Sequence, residues 1–108
     1  MTWTVEILNA AVEAELLGLP SDMQAAFARL AERIMAVGLE RVREPHVKHL
    51  DGKLWEMRLT GRDGIARALY VTATGRRIIV LHAFVKKTQK TPRAALALAT
   101  ARLKEMDR

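Results

Sequence analysis

Three consecutive strand-like runs, rich in apolar residues and separated by turn signals, dominate the second half of the chain and constrain its fold more than any other feature. They cover residues 53–60, 65–73 and 76 to about 85, and short runs of this kind between turn residues are typical of β-strands. The turn segment 61–64 separates the first two runs, and Thr74-Gly75 separates the last two as a two-residue hairpin signal. The sequence therefore predicts a three-stranded antiparallel meander.

Helical patterns flank this meander. Residues 3–8 form a first alternating run, Asn9 caps a predicted helix over residues 10–17, and Ser21 caps a second helix that ends near Val37. A polar loop over residues 43–52 precedes the meander, and Thr91-Pro92 starts a last, Ala-rich helix. This order predicts an α+β fold, β-α-α-β-β-β-α, with a mainly antiparallel four-stranded sheet, an N-terminal helical hairpin and a C-terminal helix.

Length and composition exclude several classes of protein. The 108 residues suit one domain over 1–108, and the absence of cysteine excludes disulfides and thiolate metal sites. We see no signal peptide and no apolar run of the ~20 residues that cross a bilayer. The three histidines lack metal-ligand spacing. We therefore expect a cytoplasmic protein without metal, cofactor or membrane partner.

The positive charge is concentrated in the C-terminal two-fifths of the chain. Residues 64–104 contain nine Lys or Arg and no acidic residue, whereas the first 63 residues contain eight basic and ten acidic residues. A field of one sign attracts polyanions, of which nucleic acid is the obvious one. The alternative is a protein that is only basic and soluble.

The predicted hairpins also indicate where the cations meet. If Thr74-Gly75 is a two-residue turn, Arg67 faces His82, and the turn at 61–64 places Arg58 near Arg67. Two arginines and a histidine on hydrophobic strands can bind a phosphodiester and exchange a proton with it. The alternative is that Glu56 on the same face pairs with one arginine, with His82 as an ordinary strand residue.

Further basic and aromatic residues flank this position. Lys86, Lys87 and Lys90 follow the last strand directly, and the loop before the meander contributes His46, Lys48 and His49. Phe84 shares the predicted face of His82, where it either stacks on a base or closes the core. Each of these residues is also compatible with an ordinary solvated surface.

Three segments carry a family resemblance: KHLDGKLWEMR at 48–58, IARALY at 65–70 and IVLHAFVKKTQKTP at 79–92. They resemble HigB-like toxins of the RelE/ParE superfamily, in particular the branch of phage-derived toxin-like proteins, over roughly residues 1–105. The resemblance implies the toxin of a type II toxin-antitoxin system. Such a toxin is a metal-independent mRNA endoribonuclease that works on translating ribosomes, and a helix-turn-helix antitoxin neutralises it.

The resemblance, together with the positions of the basic and aromatic residues, predicts the reaction and its residues. The RNA 2′-hydroxyl attacks the adjacent phosphorus and yields a cyclic phosphate. The expected catalytic residues are Arg58, Arg67, His82 and Lys87, and the expected RNA-binding residues are Lys48, His49, Lys53, Phe84, Lys86 and Lys90. The candidate bases are His82, His49 or a lysine with a depressed pKa.

The chain departs from the family pattern at two positions. Ala66 stands where relatives have a tyrosine before the arginine, and no tyrosine lies near the C-terminus. Some members of the superfamily poison DNA gyrase instead of cutting RNA, so a non-enzymatic toxin is the second hypothesis. A plain nucleic-acid-binding module is the third.

Overall fold

The computed structural model describes residues 2–87 and 90–106. The strands are β1 (Thr4–Ile7), β2 (Val47–Asp51), β3 (Leu54–Gly61), β4 (Gly64–Ala73) and β5 (Arg77–Lys86). The α-helices are α1 (Ala10–Leu17), α2 (Ser21–Val37) and α3 (Arg93–Met106), and a 3₁₀ turn spans Leu39–Arg41. Within the described residues the strands form one five-stranded sheet of order β1-β5-β4-β3-β2. The α+β prediction is confirmed.

The sheet has two covered faces. β1 runs parallel to β5, and the other neighbouring pairs are antiparallel. On one side, here called the hairpin face, α1 and α2 pack on buried side chains such as Met57, Leu59 and Tyr70. On the other side, the α3 face, α3 covers residues such as Leu69 and Leu81. Alternation along each strand therefore decides which helix a side chain meets.

The helix starts differ in how they are capped. Asn9 caps α1 as predicted, because its Oδ1 accepts a hydrogen bond of 3.0 Å from the Val12 N–H. The prediction that Ser21 caps α2 is wrong: Pro20 holds the cap position and no side chain caps that end. Gln24 instead turns back and donates through Nε2 to the Leu19 carbonyl at 2.7 Å. This bond ties the start of α2 to the connection from α1.

The predicted loop over residues 43–52 contains a fifth strand. β2 pairs antiparallel with β3, with Lys48 opposite Glu56 and Asp51 opposite Leu54. Gly52 adopts a positive φ of 54° in the two-residue turn between these strands, which a glycine tolerates without strain. The predicted count of four strands is therefore wrong by one, and β2 forms an outer edge of the sheet.

The register between β4 and β5 also differs from the prediction. Ala73 pairs with Arg77 instead of Arg76, so the connecting loop has three residues, and Arg76 adopts a positive φ of 58°. A bulge between Leu69 and Tyr70 shifts the pairing by one more residue. Because a shift of one residue reverses the faces of a strand, β5 presents Val80 to the hairpin face and Leu81 to the α3 face.

Candidate active site

Arg58 and Arg67 are directly opposed on β3 and β4, as the turn at 61–64 predicted. Arg58 alternates with Glu56, and Arg67 alternates with Leu69, so both arginines belong to the α3 face. Directly opposed residues have Cβ atoms about 5 Å apart. The two arginines therefore start from adjacent positions on the α3 face, near the turn that joins β3 and β4.

Arg67 is held by a buried carboxylate. Its Nη1 donates to Glu56 Oε1 at 2.6 Å, and the two side chains are only 5% and 3% exposed. The second carboxylate oxygen, Oε2, accepts a hydrogen bond of 3.0 Å from the hydroxyl of Thr91, just before α3. Glu56 therefore pairs with one arginine, which is the arrangement expected from the sequence as the alternative to a phosphate site. The pair also fixes the position of Arg67 and anchors the segment that leads into α3.

Arg58 has no such carboxylate within residues 2–87 and 90–106. Its Nε atom is buried without a hydrogen-bond partner in that part of the chain, and the same is true of Arg67 Nε. Burial lowers the pKa of Arg67 and the nearby Arg58 lowers it further, while Glu56 opposes both effects. Two cations with one carboxylate leave a net positive charge, which an anion can compensate.

Lys86 adds a third cation to this group. It pairs with Ile65 at the end of β5 and is partly buried. Burial is the largest cause that lowers its pKa, and the charges of Arg67, Arg58 and Lys48 lower it further against the opposing effect of Glu56. A lysine in these surroundings loses its proton more readily than a free one, which is what a general base requires.

The structure separates His82 from Arg67. The predicted pairing of these two residues is wrong, because Phe84 faces Arg67 and His82 faces Leu69. The His82 ring stacks on Phe84 with centroids 5.0 Å apart, and its Nδ1 lies 2.8 Å from Glu15 Oε1. His82 is therefore the next residue along the face, held by a carboxylate of α1.

Glu15 is the centre of a clamp that sequence reasoning missed. Arg102 of α3 donates to both of its oxygens at 2.9 Å, and Arg102 Nη1 also donates to the Leu81 carbonyl. The Ala83 N–H donates to Glu15 Oε1 at 3.2 Å. These bonds occupy backbone groups of β5 and join α1, β5 and α3. No local signal indicates this contact, since Glu15 and Arg102 are 87 residues apart.

The remaining predicted site residues divide between the two faces. Lys48 is exposed and lies opposite Glu56, so it borders the arginine pair. His49 belongs to the hairpin face, where it contacts Trp55 edge-on at 5.0 Å and its Nε2 lies 2.8 Å from the Gly52 carbonyl. Alternation therefore places His49 on the side opposite the arginine pair.

The other predicted lysines are all exposed. Lys53 lies in the turn between β2 and β3, Lys87 follows β5, and Lys90 precedes α3. Residues 88 and 89 of the predicted basic linker lie outside the described residues. The cationic group formed by Lys48, Arg58, Arg67 and Lys86 thus comes from four adjacent strands.

A larger cavity lies on the hairpin face, and of the cationic group only Lys48 reaches its lining among the described residues. Its volume is about 570 Å³, and its walls include Trp3, Val42, Trp55 and Tyr70. Burial raises the pKa of the Tyr70 phenol well above its usual range, so this hydroxyl stays protonated. The cavity is lined largely by apolar groups, and the charges around it are mixed, since Glu40 and Glu44 accompany Arg43 and Lys48.

The described residues give no metal site and no membrane span. No group of three or more His, Asp or Glu within 2–87 and 90–106 is arranged to hold a metal ion. In the same part of the chain, every helix is too short or too polar to cross a bilayer.

The fold is that of the RelE toxins. Superposition on a double arginine-to-alanine mutant of the E. coli toxin RelE in the free state gives a TM-score of 0.67, with 15% identity over 95% of this chain and 99% of that one. The archaeal RelE–RelB complex from Pyrococcus horikoshii OT3 gives a TM-score of 0.57, with 24% identity over 81% and 98% of the two chains. Both likenesses concern the fold.

The sequence identifies the family within this fold. Residues 14–104 match the profile of the family described as Phage derived protein Gp49-like (DUF891), and the chain belongs to that family. A comparison with curated proteins finds no significant match. The phage-derived part of the prediction from the sequence is confirmed, and the HigB-like subtype stays a prediction.

Proposed function

We propose that this protein is the toxin of a type II toxin-antitoxin system and cleaves mRNA on translating ribosomes as a metal-independent endoribonuclease. The observation that carries the proposal is the opposed pair of Arg58 and Arg67 on the α3 face, in a chain with a RelE-like fold. Lys86, with its lowered pKa, adds a group suited to proton transfer at the same place. In this proposal the protein acts in the cytoplasm.

Arg58 and Arg67 bind the scissile phosphate in this mechanism. Arg67, held by Glu56, provides a donor whose position is fixed before the substrate arrives. Arg58 has the same charge without a competing carboxylate among the described residues, so its guanidinium is available to a phosphate oxygen. Both groups stabilise the additional negative charge that develops on the phosphate oxygens as the nucleophile attacks.

Neutral Lys86 accepts the proton of the RNA 2′-hydroxyl, whose oxygen then attacks the adjacent phosphorus. The bond from phosphorus to the 5′-oxygen breaks, which leaves a 2′,3′-cyclic phosphate on one product. The departing 5′-oxygen takes a proton from Lys87 or from water and becomes a 5′-hydroxyl. His82 supports the site less directly here, because its Nδ1 is engaged with Glu15.

Lys48, Lys53, Phe84 and Lys90 have a supporting role in the proposal. Lys48 lies beside Glu56 at the border of the cationic group, and Phe84 lies opposite Arg67, where its ring can stack on a base. Lys53 and Lys90 are exposed and can contact backbone phosphates. His49 lies on the hairpin face, so in this proposal it reaches RNA only at the β2 edge.

A cognate antitoxin is part of the proposal. The archaeal RelE relative was solved in complex with RelB, which supports a protein partner for this chain as well. We propose a small helix-turn-helix antitoxin that covers the cationic α3 face with acidic side chains. Co-expression with the product of an adjacent gene and copurification of the pair tests this partnership.

Inducible expression followed by mapping of transcript 5′ ends tests the activity. The wild type is expected to arrest growth and to create new 5′ ends within coding regions, whereas Arg58→Ala is expected to do neither. Growth arrest without new 5′ ends would instead identify a non-enzymatic toxin, such as a gyrase poison. Absence of arrest for the expressed, folded wild type would contradict a toxin function.

A further inference from the structure

A second cationic cleft lies beside the outer edge of β3. β2 pairs with β3 only as far as Val47 opposite Met57, and the Arg58 N–H still donates to the His46 carbonyl at 2.9 Å. Beyond that bond, the end of β3 has no neighbouring strand on this side. A cleft of about 270 Å³ occupies this space between the strand and α2.

Arginine dominates the polar lining of this cleft. Arg29 and Arg33 come from α2, and Arg58 comes from β3, together with His46. No acidic residue lines the cleft among the described residues, and Glu32, which lies between the two helical arginines in sequence, is exposed and outside it. No salt bridge within residues 2–87 and 90–106 involves these arginines.

This clustering of charge has a cost in the free protein. Arg29 and Arg33 are four residues apart on α2, a spacing at which like charges destabilise a helix. The buried Nε of Arg58 adds a donor without a protein acceptor in the described part of the chain. A bound anion removes both penalties, because guanidinium groups bind phosphate oxygens through two parallel hydrogen bonds.

Arg58 connects the cleft with the candidate active site. It lines the cleft and is also opposed to Arg67 on the α3 face, so positive charge continues around the open edge of the sheet. We infer that the cleft is a second phosphate-binding subsite, which holds the backbone of single-stranded RNA next to the phosphate that is cut. This inference rests on the proposed function, since it assumes that RNA is cut at the arginine pair and describes where the neighbouring part of the RNA backbone binds.

RNA binding without cleavage provides the test. The probe is a fluorescent 2′-O-methyl RNA of about 12 nucleotides, a length within the range of single-strand binding sites, and it lacks the attacking hydroxyl. Binding is measured by fluorescence anisotropy at several salt concentrations for the wild type and for Arg29→Ala/Arg33→Ala. Alanine favours helices, so circular dichroism is expected to show an intact fold.

Two lost phosphate contacts are expected to reduce the slope of log K against log salt by about 1.4, since each contact to a single strand contributes about 0.7. Arg29→Lys/Arg33→Lys, which keeps the charge, is expected to retain most of the slope. The matched control, Arg41→Ala/Lys104→Ala, removes two exposed charges from outside the cleft and is expected to change the slope by less than half as much.

Equal slopes for Arg29→Ala/Arg33→Ala and the control would overturn the inference, and so would a wild type that does not bind the RNA. Loss of binding to an acidic peptide, with RNA binding unchanged, would assign the cleft to a protein partner and also overturn it. The proposed cleavage is judged separately, by the 5′ ends that wild type and Arg58→Ala produce. Failure of the subsite is therefore distinguishable from failure of the proposed function.

Discussion

Arg58 and Arg67 lie opposite each other across β3 and β4, yet of these two arginines only Arg67 has a carboxylate partner within the described residues. The two arginines therefore have different roles despite their equal charge. Arg67 belongs to the internal structure as well as to the cationic group, because it donates to Glu56, and Glu56 in turn accepts a hydrogen bond from Thr91. Arg58 is the cation whose substitution tests chemistry with the least effect on folding.

Arg58→Ala is expected to abolish the proposed cleavage. Loss of one preorganised donor to a developing oxyanion lowers rates by about 10²–10³-fold, and the other residue opposite Arg67, Phe84, has no side-chain donor. Cleavage of a reporter transcript by purified protein and ribosomes measures the effect, and thermal unfolding checks the fold. Arg62→Ala, in the exposed turn between the same strands, is the control and should stay active. Full activity of folded Arg58→Ala would refute the role.

Arg67→Ala is expected to destabilise the protein as well as to inactivate it. It leaves Glu56, which is 2% exposed, without its ionic partner, and breaking a buried pair costs about 3–5 kcal/mol. The double variant Glu56→Leu/Arg67→Met replaces the pair with apolar groups and should recover most of the free energy of unfolding. Urea denaturation of Glu56→Leu, Arg67→Met and the double variant measures this. Additive losses would show that the pair is not coupled.

Lys86 is expected to control the pH dependence of cleavage. Its pKa is lowered from 10.5 by burial and by the neighbouring cations, and a general base acts in its deprotonated form. The cleavage rate should therefore rise with pH and level off below pH 10.5. Lys86→Arg keeps the charge but does not titrate in this range, so it should be slow and lack the rise. An unchanged pH profile in Lys86→Arg would exclude Lys86 as the base.

The Glu15 clamp is expected to make stability depend on acidity. Burial alone would raise the pKa of Glu15, but hydrogen bonds from Arg102, His82 and the Ala83 N–H outweigh burial and hold the pKa below its ordinary value of 4.5. A carboxyl group whose pKa is lower in the folded protein than in the unfolded chain stabilises the fold at pH values above its unfolded pKa. This contribution is lost as the pH falls through the folded pKa.

Glu15→Gln should therefore lower the melting temperature at neutral pH, because a neutral amide pairs more weakly with Arg102. The difference in melting temperature between Glu15→Gln and the wild type should shrink as the pH falls below 4.5. Calorimetry across that range measures both curves. Glu13→Gln changes an exposed carboxylate on the same helix and is the control. A difference that persists unchanged in acid would contradict the assignment of the clamp to ionised Glu15.

The strand that the sequence prediction missed had a usable signal. The two-residue turn is Gly52-Lys53, and a glycine at the first position of such a turn is a hairpin signal, while Val47 and His49 alternate before it with Lys48. Polar residues fill this run because β2 is an outer strand with much of its surface in water. Because β2 has few apolar residues, its sequence predicts a loop, although the turn that follows it has an ordinary hairpin sequence.

The sequence by itself determined the elements of the meander, the helical hairpin, the last helix and the opposition of Arg58 and Arg67. These features depend on short-range rules, namely alternation along a strand and a two-residue turn that sets the pairing next to it. Only the tertiary structure decided that Phe84, and not His82, faces Arg67, because a three-residue loop and a bulge each moved the register by one. It also decided that Glu56 pairs with Arg67 and not with Arg58, and it decided the clamp from Glu15 to Arg102. Such contacts depend on how distant segments pack, and no local pattern of residues encodes that.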